Sequence, residues 1–475
     1  MVKINLPVIF RLKDGQMASL IILALFAIAL FVHSHLFVTP TIPSLYLSVV
    51  GCALWGLFAL LKRFRREEVG ISLSELLLTG LSLFMLITGI CYQSINFKFA
   101  ALGVSLLLFY LLVRRTTWNW KILSAGFLIL GAVEAVYAIG QHFHWFANAR
   151  VDLPICGSFD NPAGLSATLA AISPFGLVLL GEKSRIWKIS GILSLSVIYT
   201  AIVLSQSRAG MVAAFTVALV FCIYSLPRLQ LKNGHKWIKI TVTTVACTAL
   251  MGGLYFVKKD SADGRLLIWQ CTSRMIADKP FFGQGTGGFQ REYMLYQADY
   301  FVHHPEDSKF AILADIVKHP FNEYLLFLSE QGLLGVALFG SFALLLIRSY
   351  RNERTEENLC LIFCLIGIGV FACFSYPFDY AFPRLITVFA AASIMKGESA
   401  MFHVSRKVWA VSKPVIIIFL LLLIMIPCKM LCDEYQWNMI AQRSLRGETR
   451  KVLPDYAKLH KTMNRNGLFL YNYAA

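Results

Sequence analysis

Apolar residues run along this 475-residue chain in long blocks, without the alternation of a half-buried strand or the one-sided stripe of a surface helix. A bilayer core of about 30 Å needs roughly 20 apolar residues per helix. Blocks of about that length lie near 17–38, 43–61, 71–92, 97–113, 122–143, 161–181, 189–206, 209–226, 239–257, 321–347, 357–376, 384–397 and 413–432. The pattern predicts an all-α polytopic integral membrane protein of about 12–13 transmembrane helices, the block at 384–397 being the shortest. The first block is too long for the core of a cleavable signal and reads as a retained anchor. Four segments follow: 1–257 with spans one to nine, the long polar loop 258–320, 321–432 with spans ten to thirteen, and a tail, 433–475. The tail is patterned for helices at 434–449 and 454–463, separated at Pro454.

Composition excludes a soluble enzyme and a disordered chain. The chain is 57% hydrophobic and 15% charged, where soluble domains carry about a quarter charged residues. Its net charge of +17 would suggest nucleic acid in a soluble protein, but the basic residues fall on alternate loops. One set holds Lys3, Arg11 and Lys13, then Lys62, Arg63, Arg65 and Arg66, then Arg114, Arg115 and Lys121, and continues so to Lys413. The short loops of the other set hold Lys98, Arg150, Arg208 and Arg384. The positive-inside rule then places the N-terminus in the cytoplasm, with 258–320 and the tail on the far side. The charge is a topology signal, so membrane lipids are expected partners and nucleic acid is not. Of the eleven cysteines, most lie within spans and count as small hydrophobes; Cys156 and Cys271 fall on outward loops, where a bridge between them is open.

Polar groups cluster at the outward span ends. Arg208, in Ser205-Gln206-Ser207-Arg208-Ala209-Gly210, joins spans seven and eight, and a guanidinium can grip phosphate bidentately or simply snorkel. The loop adds Gly264-Arg265 with Trp269, then the glycine run Gly283-Gln284-Gly285-Thr286-Gly287-Gly288 and Arg291. Gly285 and Gly287 suit either a plain turn or a turn whose amides approach an anion. His319 precedes span ten and is a candidate proton acceptor; Asn322, Glu323 and Glu330 follow. Asn322 and Asn161, the latter before Pro162, also fit helix N-caps. Glu134, Gln141, His142 and His144 end span five, and Ser375-Tyr376-Pro377-Phe378-Asp379-Tyr380 with Arg384 turns between spans eleven and twelve. His303, His304 and His319 have no metal-ligand spacing, so no metal and no cofactor are expected.

The S-x-S-R-x-G hairpin, the G-R-x-x-x-W start, the P-x-x-G-x-G-x-x-G-F turn and the H…N-x-Y-L-x-x-x-x-E-x-G helix occur in that order. Together, over roughly 155–385, they resemble the O-antigen ligase and polymerase superfamily, which includes protein O-oligosaccharyltransferases. One departure is that Pro320-Phe321 separate His319 from Asn322, which the family's usual form places side by side. The resemblance implies a GT-C-like glycosyltransferase of the bacterial inner membrane, with its site on the periplasmic face. The donor would be a glycan on undecaprenyl diphosphate, and the acceptor a hydroxyl of lipid A-core, a protein or another glycan. Arg208 and Arg265 would hold the diphosphate and His319 would act on the acceptor. Arg291, Asn322, Glu323, Asn161, Gly285 and Gly287 would line the substrate. A polysaccharide polymerase of the same superfamily is the near alternative, and a transporter or flippase of a lipid-linked solute is the distant one.

Overall fold

The computed structural model describes residues 14–34, 36–62, 69–94, 97–148, 153–225, 241, 244–245, 259–306, 308–464 and 466–474. The expected span at 239–257 lies almost wholly outside them, as do the basic residues Lys3, Arg11, Lys13, Arg63, Arg65, Arg66 and Arg150. Every other expected span coincides with a helix. These are α1 (Asp14–Phe31), α2 (Ile42–Lys62), α3 (Leu73–Cys91), α4 (Phe97–Arg115), α5 (Trp120–His142), α6 (Pro162–Leu179), α7 (Arg185–Leu204) and α8 (Arg208–Ser225). After the loop come α12 (Glu323–Asn352), α13 (Glu356–Ala372), α14 (Ala381–Ile394) and α15 (Arg406–Arg443). Among the described residues eight helices are long and apolar enough to cross a membrane. The chain is an all-α polytopic membrane protein.

Polar caps cut the apolar blocks into helices. Ser72 and Glu75 form a capping box at the start of α3, and Asn119, Asn161, Thr355 and Ser405 cap α5, α6, α13 and α15. α6 is buried on nearly all sides because α5, α7, α8 and α13 surround it. Beside it an aromatic knot joins four helices. Phe26 meets Phe109, Phe127, Phe382 and Phe389 edge-on, with ring centroids 4.7 to 6.3 Å apart.

The loop is helical: α9 (Lys259–Asp278), α10 (Gly288–His303) and the short α11 (Ser308–Leu313). It closes on its own core of Leu267, Cys271, Met275, Phe289, Tyr293 and Tyr300. Cys271 lies in that core and Cys156 under α5, and no disulfide joins them. The tail differs from expectation in where it turns. α15 continues out of the bundle to Arg443, and the break falls at Gly447, whose φ of +90° suits a residue without Cβ. Pro454 instead lies inside α16 (Thr449–Met463), which packs with α17 (Gly467–Ala474) around Trp437, Tyr456, Leu459 and Phe469.

The end of the bundle where α1 begins holds a buried ion network. Glu75 takes a bidentate contact from Arg115 at 2.9 and 3.0 Å and meets Arg114 at 3.2 Å. Arg114 also reaches Glu398 at 3.3 Å and the Met395 carbonyl at 3.0 Å. Beside it lies the single strand pairing among the described residues, an antiparallel ribbon of β1 (Val69–Ile71) with β2 (Phe402–Val404). The network ties α3 and α4 to the α14–α15 connection. A buried charge stripped of its partner is strongly destabilising. Glu75→Ala is therefore expected to cost about 3–5 kcal/mol, measured as a lower thermal unfolding midpoint in detergent; an unchanged midpoint would show that Glu398 alone suffices for Arg114.

Candidate active site

The opposite end of the bundle gathers most of the residues singled out by sequence. At the α7–α8 hairpin each motif residue has a structural task. Ser205 Oγ donates to the Ile202 carbonyl at 2.6 Å and accepts from Ser207 N at 3.3 Å. Ser207 Oγ in turn accepts from Gly210 N at 3.3 Å. A Cβ on Gly210 would press into Ser166 of α6, so the glycine lets α8 lie close against it. Arg208 is thereby set at the first position of α8.

Arg265 comes from α9, near enough to Arg208 for the two charges to oppose each other. Its Nη1 donates to the Phe374 carbonyl at 2.9 Å, and its guanidinium lies over the Phe321 ring, 5.0 Å from the centroid. Burial, with the charge of Arg208 beside it, pulls Arg265 down to about 10, so it remains cationic at neutral pH. One helical turn on, Trp269 Nε1 donates to the Pro320 carbonyl at 2.8 Å. The G-R-x-x-x-W spacing thus puts a cation and an anchor for the histidine turn on one face of α9.

His319 stands on that turn. Its Nε2 is 2.7 Å from Asp379 Oδ2, and its ring stacks on Tyr376 at 4.9 Å between centroids. Burial and the charges of Asp379 and Asp160 push the Tyr376 phenol up to about 12, so it stays protonated. Phe321 (φ +54°) reverses the chain into α12. Asn322 caps that helix, its Oδ1 accepting from Tyr324 N at 3.0 Å and Leu325 N at 3.1 Å. Glu323 Oε1 accepts from Phe378 N at 3.3 Å. Asn161 caps α6 through Ala163 N at 2.9 Å, next to Asp160, which hydrogen-bonds with Tyr380.

The glycine turn does different work. α12 is interrupted at Gly332, with φ +61° and ψ −169°, a conformation open essentially to glycine alone. The turn repairs the interruption. Gln284 N and Gly285 N donate to the Ser329 and Glu330 carbonyls at 2.8 and 2.9 Å. Leu333 N and Leu334 N donate to the Pro280 and Phe281 carbonyls at 2.8 and 3.1 Å. The amides of Gly287 and Phe289, at the start of α10, meet the Glu330 carboxylate, with Phe289 N at 3.4 Å. The acidic group at this turn is the protein's own. Gly285 abuts Thr88, Tyr92 and Ser94 at the end of α3, and Arg291 binds the Tyr92 carbonyl and Glu292. These contacts tie Arg291 and Gly285 to the end of α3.

Two other expectations also resolve into structure. Glu134 and Gln141 hold the strand of loop before α6, accepting from Ser158 N at 2.7 Å and Gly157 N at 2.8 Å, while His142 and His144 are exposed. His304 stacks on Tyr300 and His303 pairs with Asp299, away from His319; no metal-holding cluster occurs among the described residues. The residues that sequence reasoning did not connect to His319 are Asp379, Tyr376 and Arg384. Their turn stood out as polar, but its contact with a residue sixty positions earlier has no local signal.

Residues 191–340 match the family model described as O-antigen ligase, so this stretch of the chain is similar to that family. That stretch includes Arg208, Arg265, the glycine turn and His319, while the Tyr376–Arg384 turn lies beyond it. No curated protein matches the chain. The repair of α12 gives a direct prediction. A Cβ at Gly332 would collide with the Phe281 carbonyl, so Gly332→Ala is expected to destabilise the fold by about 1–3 kcal/mol; unchanged thermal unfolding and unchanged protease sensitivity of the loop would refute it.

Proposed function

We propose that this protein, as a member of the O-antigen ligase superfamily, transfers a glycan from undecaprenyl diphosphate to an acceptor hydroxyl on the periplasmic face of the bacterial inner membrane. The observation that carries the proposal is the meeting of three elements at one end of the bundle. Arg208 and Arg265 lie within reach of each other's charge, and Arg265 reaches the Phe374 carbonyl next to the turn that carries Asp379, the partner of His319. Two guanidinium groups so placed suit a ligand with two phosphates.

The chemistry follows from the hydrogen bonds. Asp379 engages Nε2 of His319, so that nitrogen carries the proton and Nδ1 is left as the acceptor. Nδ1 takes the proton of the acceptor hydroxyl as its oxygen attacks the anomeric carbon. The bond from that carbon to the diphosphate oxygen breaks, and the leaving group takes the electron pair. The charge it develops is stabilised by Arg208 and Arg265. Asp379 supports the imidazolium, which afterwards releases its proton to solvent or to the departing diphosphate. The positive charge needed is supplied by arginine, and transfer is expected to continue in EDTA.

The tail packs at this same end, against Val38 in the α1–α2 connection, where it can dock a bulky acceptor. That favours lipid A-core or a protein as acceptor over a second lipid-linked glycan. Reconstitution with an undecaprenyl-diphosphate-linked glycan and each acceptor in turn tests the assignment through release of undecaprenyl diphosphate. Release with a second lipid-linked glycan alone would make the protein a polymerase. Movement of the glycolipid across a liposome without release would make it a transporter. His319→Ala is expected to lower the rate by about a hundredfold or more, with Arg208→Ala and Arg265→Ala comparably impaired at normal membrane levels. Lysine at either arginine position should restore little, because it lacks the planar fork. Full activity in all three alanine variants would overturn the site.

A further inference from the structure

The tail carries charges that neither the packing of the fold nor the transfer step uses. Residues 444–475 hold six Lys and Arg but only two acids, Glu448 and Asp455. One cation at the end of α15 takes both acids. Arg443 Nε lies 3.0 Å from Glu448 Oε2, and Arg443 Nη1 lies 3.6 Å from Asp455 Oδ2. Asp455 stands four residues after Lys451 and three before Lys458, spacings at which helix neighbours pair, yet its carboxylate faces Arg443. Among the described residues, the side chains of Arg446, Arg450, Lys451, Lys458 and Lys461 make no ion pair and no hydrogen bond, and all five are exposed.

Four of these cations share one face of α16. At about 100° per residue, Arg450, Lys451, Lys458 and Lys461 fall within an arc of about 100°. That arc lies across the helix from the buried Val452, Tyr456, Leu459 and Met463. The stripe is about 17 Å long, and an extended chain of about five residues spans it. Lys458 and Lys461 are three apart, a like-charge pair that opposes the helix. Two apolar side chains flank the stripe: Leu453 is 52% exposed on the same helix, and Leu445 is 88% exposed just before the turn at Gly447. The hairpin packs on Val38, at the end of the bundle that carries His319.

We propose that this basic face of α16 is a docking site for an acidic segment of a polypeptide. The docking face stands on the charges of the tail; that the docked chain is the acceptor rests on the proposed transfer. Three features favour a polypeptide over a bilayer or a phosphorylated sugar. α15 continues from its apolar block, 413–432, to Arg443, so the hairpin reaches about 16 Å beyond the spanning stretch. α16 folds back along Trp437 and Ile440, so the stripe runs along that projection and a flat lipid surface meets only one end of it. Three of the four cations are lysines, point charges without the planar fork that grips phosphate. Leu445 and Leu453 offer burial to apolar side chains, which a sugar phosphate lacks. Charges of this kind steer an oppositely charged partner and speed its capture.

The test uses the full-length protein in detergent and a fluorescent peptide of about eight residues, built from Glu and Asp with leucines. Its counterpart carries Gln and Asn in place of the acids. Anisotropy compares the unaltered protein with the triple variant Lys451→Gln, Lys458→Gln, Lys461→Gln and with the triple arginine variant at the same positions. The acidic peptide is expected to bind, its amide counterpart is not, and binding weakens as salt rises. The glutamine triple should bind about tenfold or more weakly, and the arginine triple as well as the unaltered protein. Equal binding of the two peptides, or an unchanged affinity in the glutamine triple, would overturn the docking face. Capture of lipid A-core or of phosphatidylglycerol vesicles that these glutamines abolish, without binding of the acidic peptide, would overturn it too. With a serine added, the peptide serves as acceptor in the reconstituted reaction. There the glutamine triple should raise acceptor KM about tenfold, with kcat and donor KM changed less than about twofold; a raised donor KM instead would overturn the assignment. Stripe-dependent peptide binding without transfer to any acceptor removes the proposed transfer alone. Transfer with peptide binding and acceptor KM unchanged in the glutamine triple removes the docking face alone.

Discussion

A helix in a bilayer must satisfy its backbone from within, because no water is there to accept its amides and carbonyls. The interruption of α12 at Gly332 breaks that rule, and the site end of the molecule is organised around the repair. Two carbonyls and two amides are exposed by the break. The loop residues Pro280–Gly285 return two carbonyls and two amides to them. The exchange fixes the loop to the bundle more tightly than side-chain packing would. It also fixes where α10 begins, since Gly287 stands at its N-cap and the first amides of that helix close on Glu330. A carboxylate at a helix start is favourably placed with respect to the helix dipole. The carboxylate and the backbone break on α12 therefore act as one docking surface for the loop.

Placement of the reactive groups follows from that docking. The glycine turn seats the C-terminal end of α9, and α9 packs on α10 and α12. With α9 in place, Arg265 reaches the Phe374 carbonyl and Trp269 holds the Pro320 carbonyl four residues later. One helix thus positions Arg265 and the turn that carries His319. The third participant, Asp379, arrives from the connection between α13 and α14. The site is assembled from elements far apart in sequence, and each is anchored by backbone hydrogen bonds. An irregular backbone at membrane depth is stable only when buried in protein in this way.

The span pattern was legible because apolar length is a local property, and every described block became a helix. The motif residues on α8, α9 and α12 were legible for the same reason: their spacing repeats helical geometry. What sequence could not supply was any relation across the loop. Asp379 was visible as a polar residue in a turn, but its contact with His319 depends on the meeting of α12 and α14. Asn322 and Asn161 showed both a capping pattern and a binding pattern, and the structure places both in caps. Gly285 and Gly287 suited an anion, and the acidic group that the Gly287 amide meets is Glu330 of the same chain. The break at Gly332 left no trace in the hydropathy of its block, since one glycine barely changes an average. The tail turn was assigned to Pro454 because proline is the stronger local signal, yet a proline with helical φ can remain inside a helix while Gly447 takes the conformation that reverses the chain.

The two ends of the bundle treat arginine in opposite ways, and the contrast bears on function. At the end where α1 begins, Arg114 and Arg115 are met by the carboxylates of Glu75 and Glu398, so charge is neutralised where it is buried. At the other end Arg265 is given a carbonyl, an aromatic ring and a second arginine. Two like charges near each other in a partly desolvated place oppose folding. Of the nearby acids, Asp379 faces His319, Glu323 holds the Phe378 amide and Glu330 meets the α10 amides. In the proposed function the positive potential at Arg265 and Arg208 serves a ligand. An anion of at least two charges, entering from the membrane surface, would relieve the repulsion as it binds. The relief would be greatest when the diphosphate carries its full charge, which is the moment the glycosidic bond has broken. In the proposed transfer the arrangement would favour the leaving group over the bound donor, as differential stabilisation of a transition state requires.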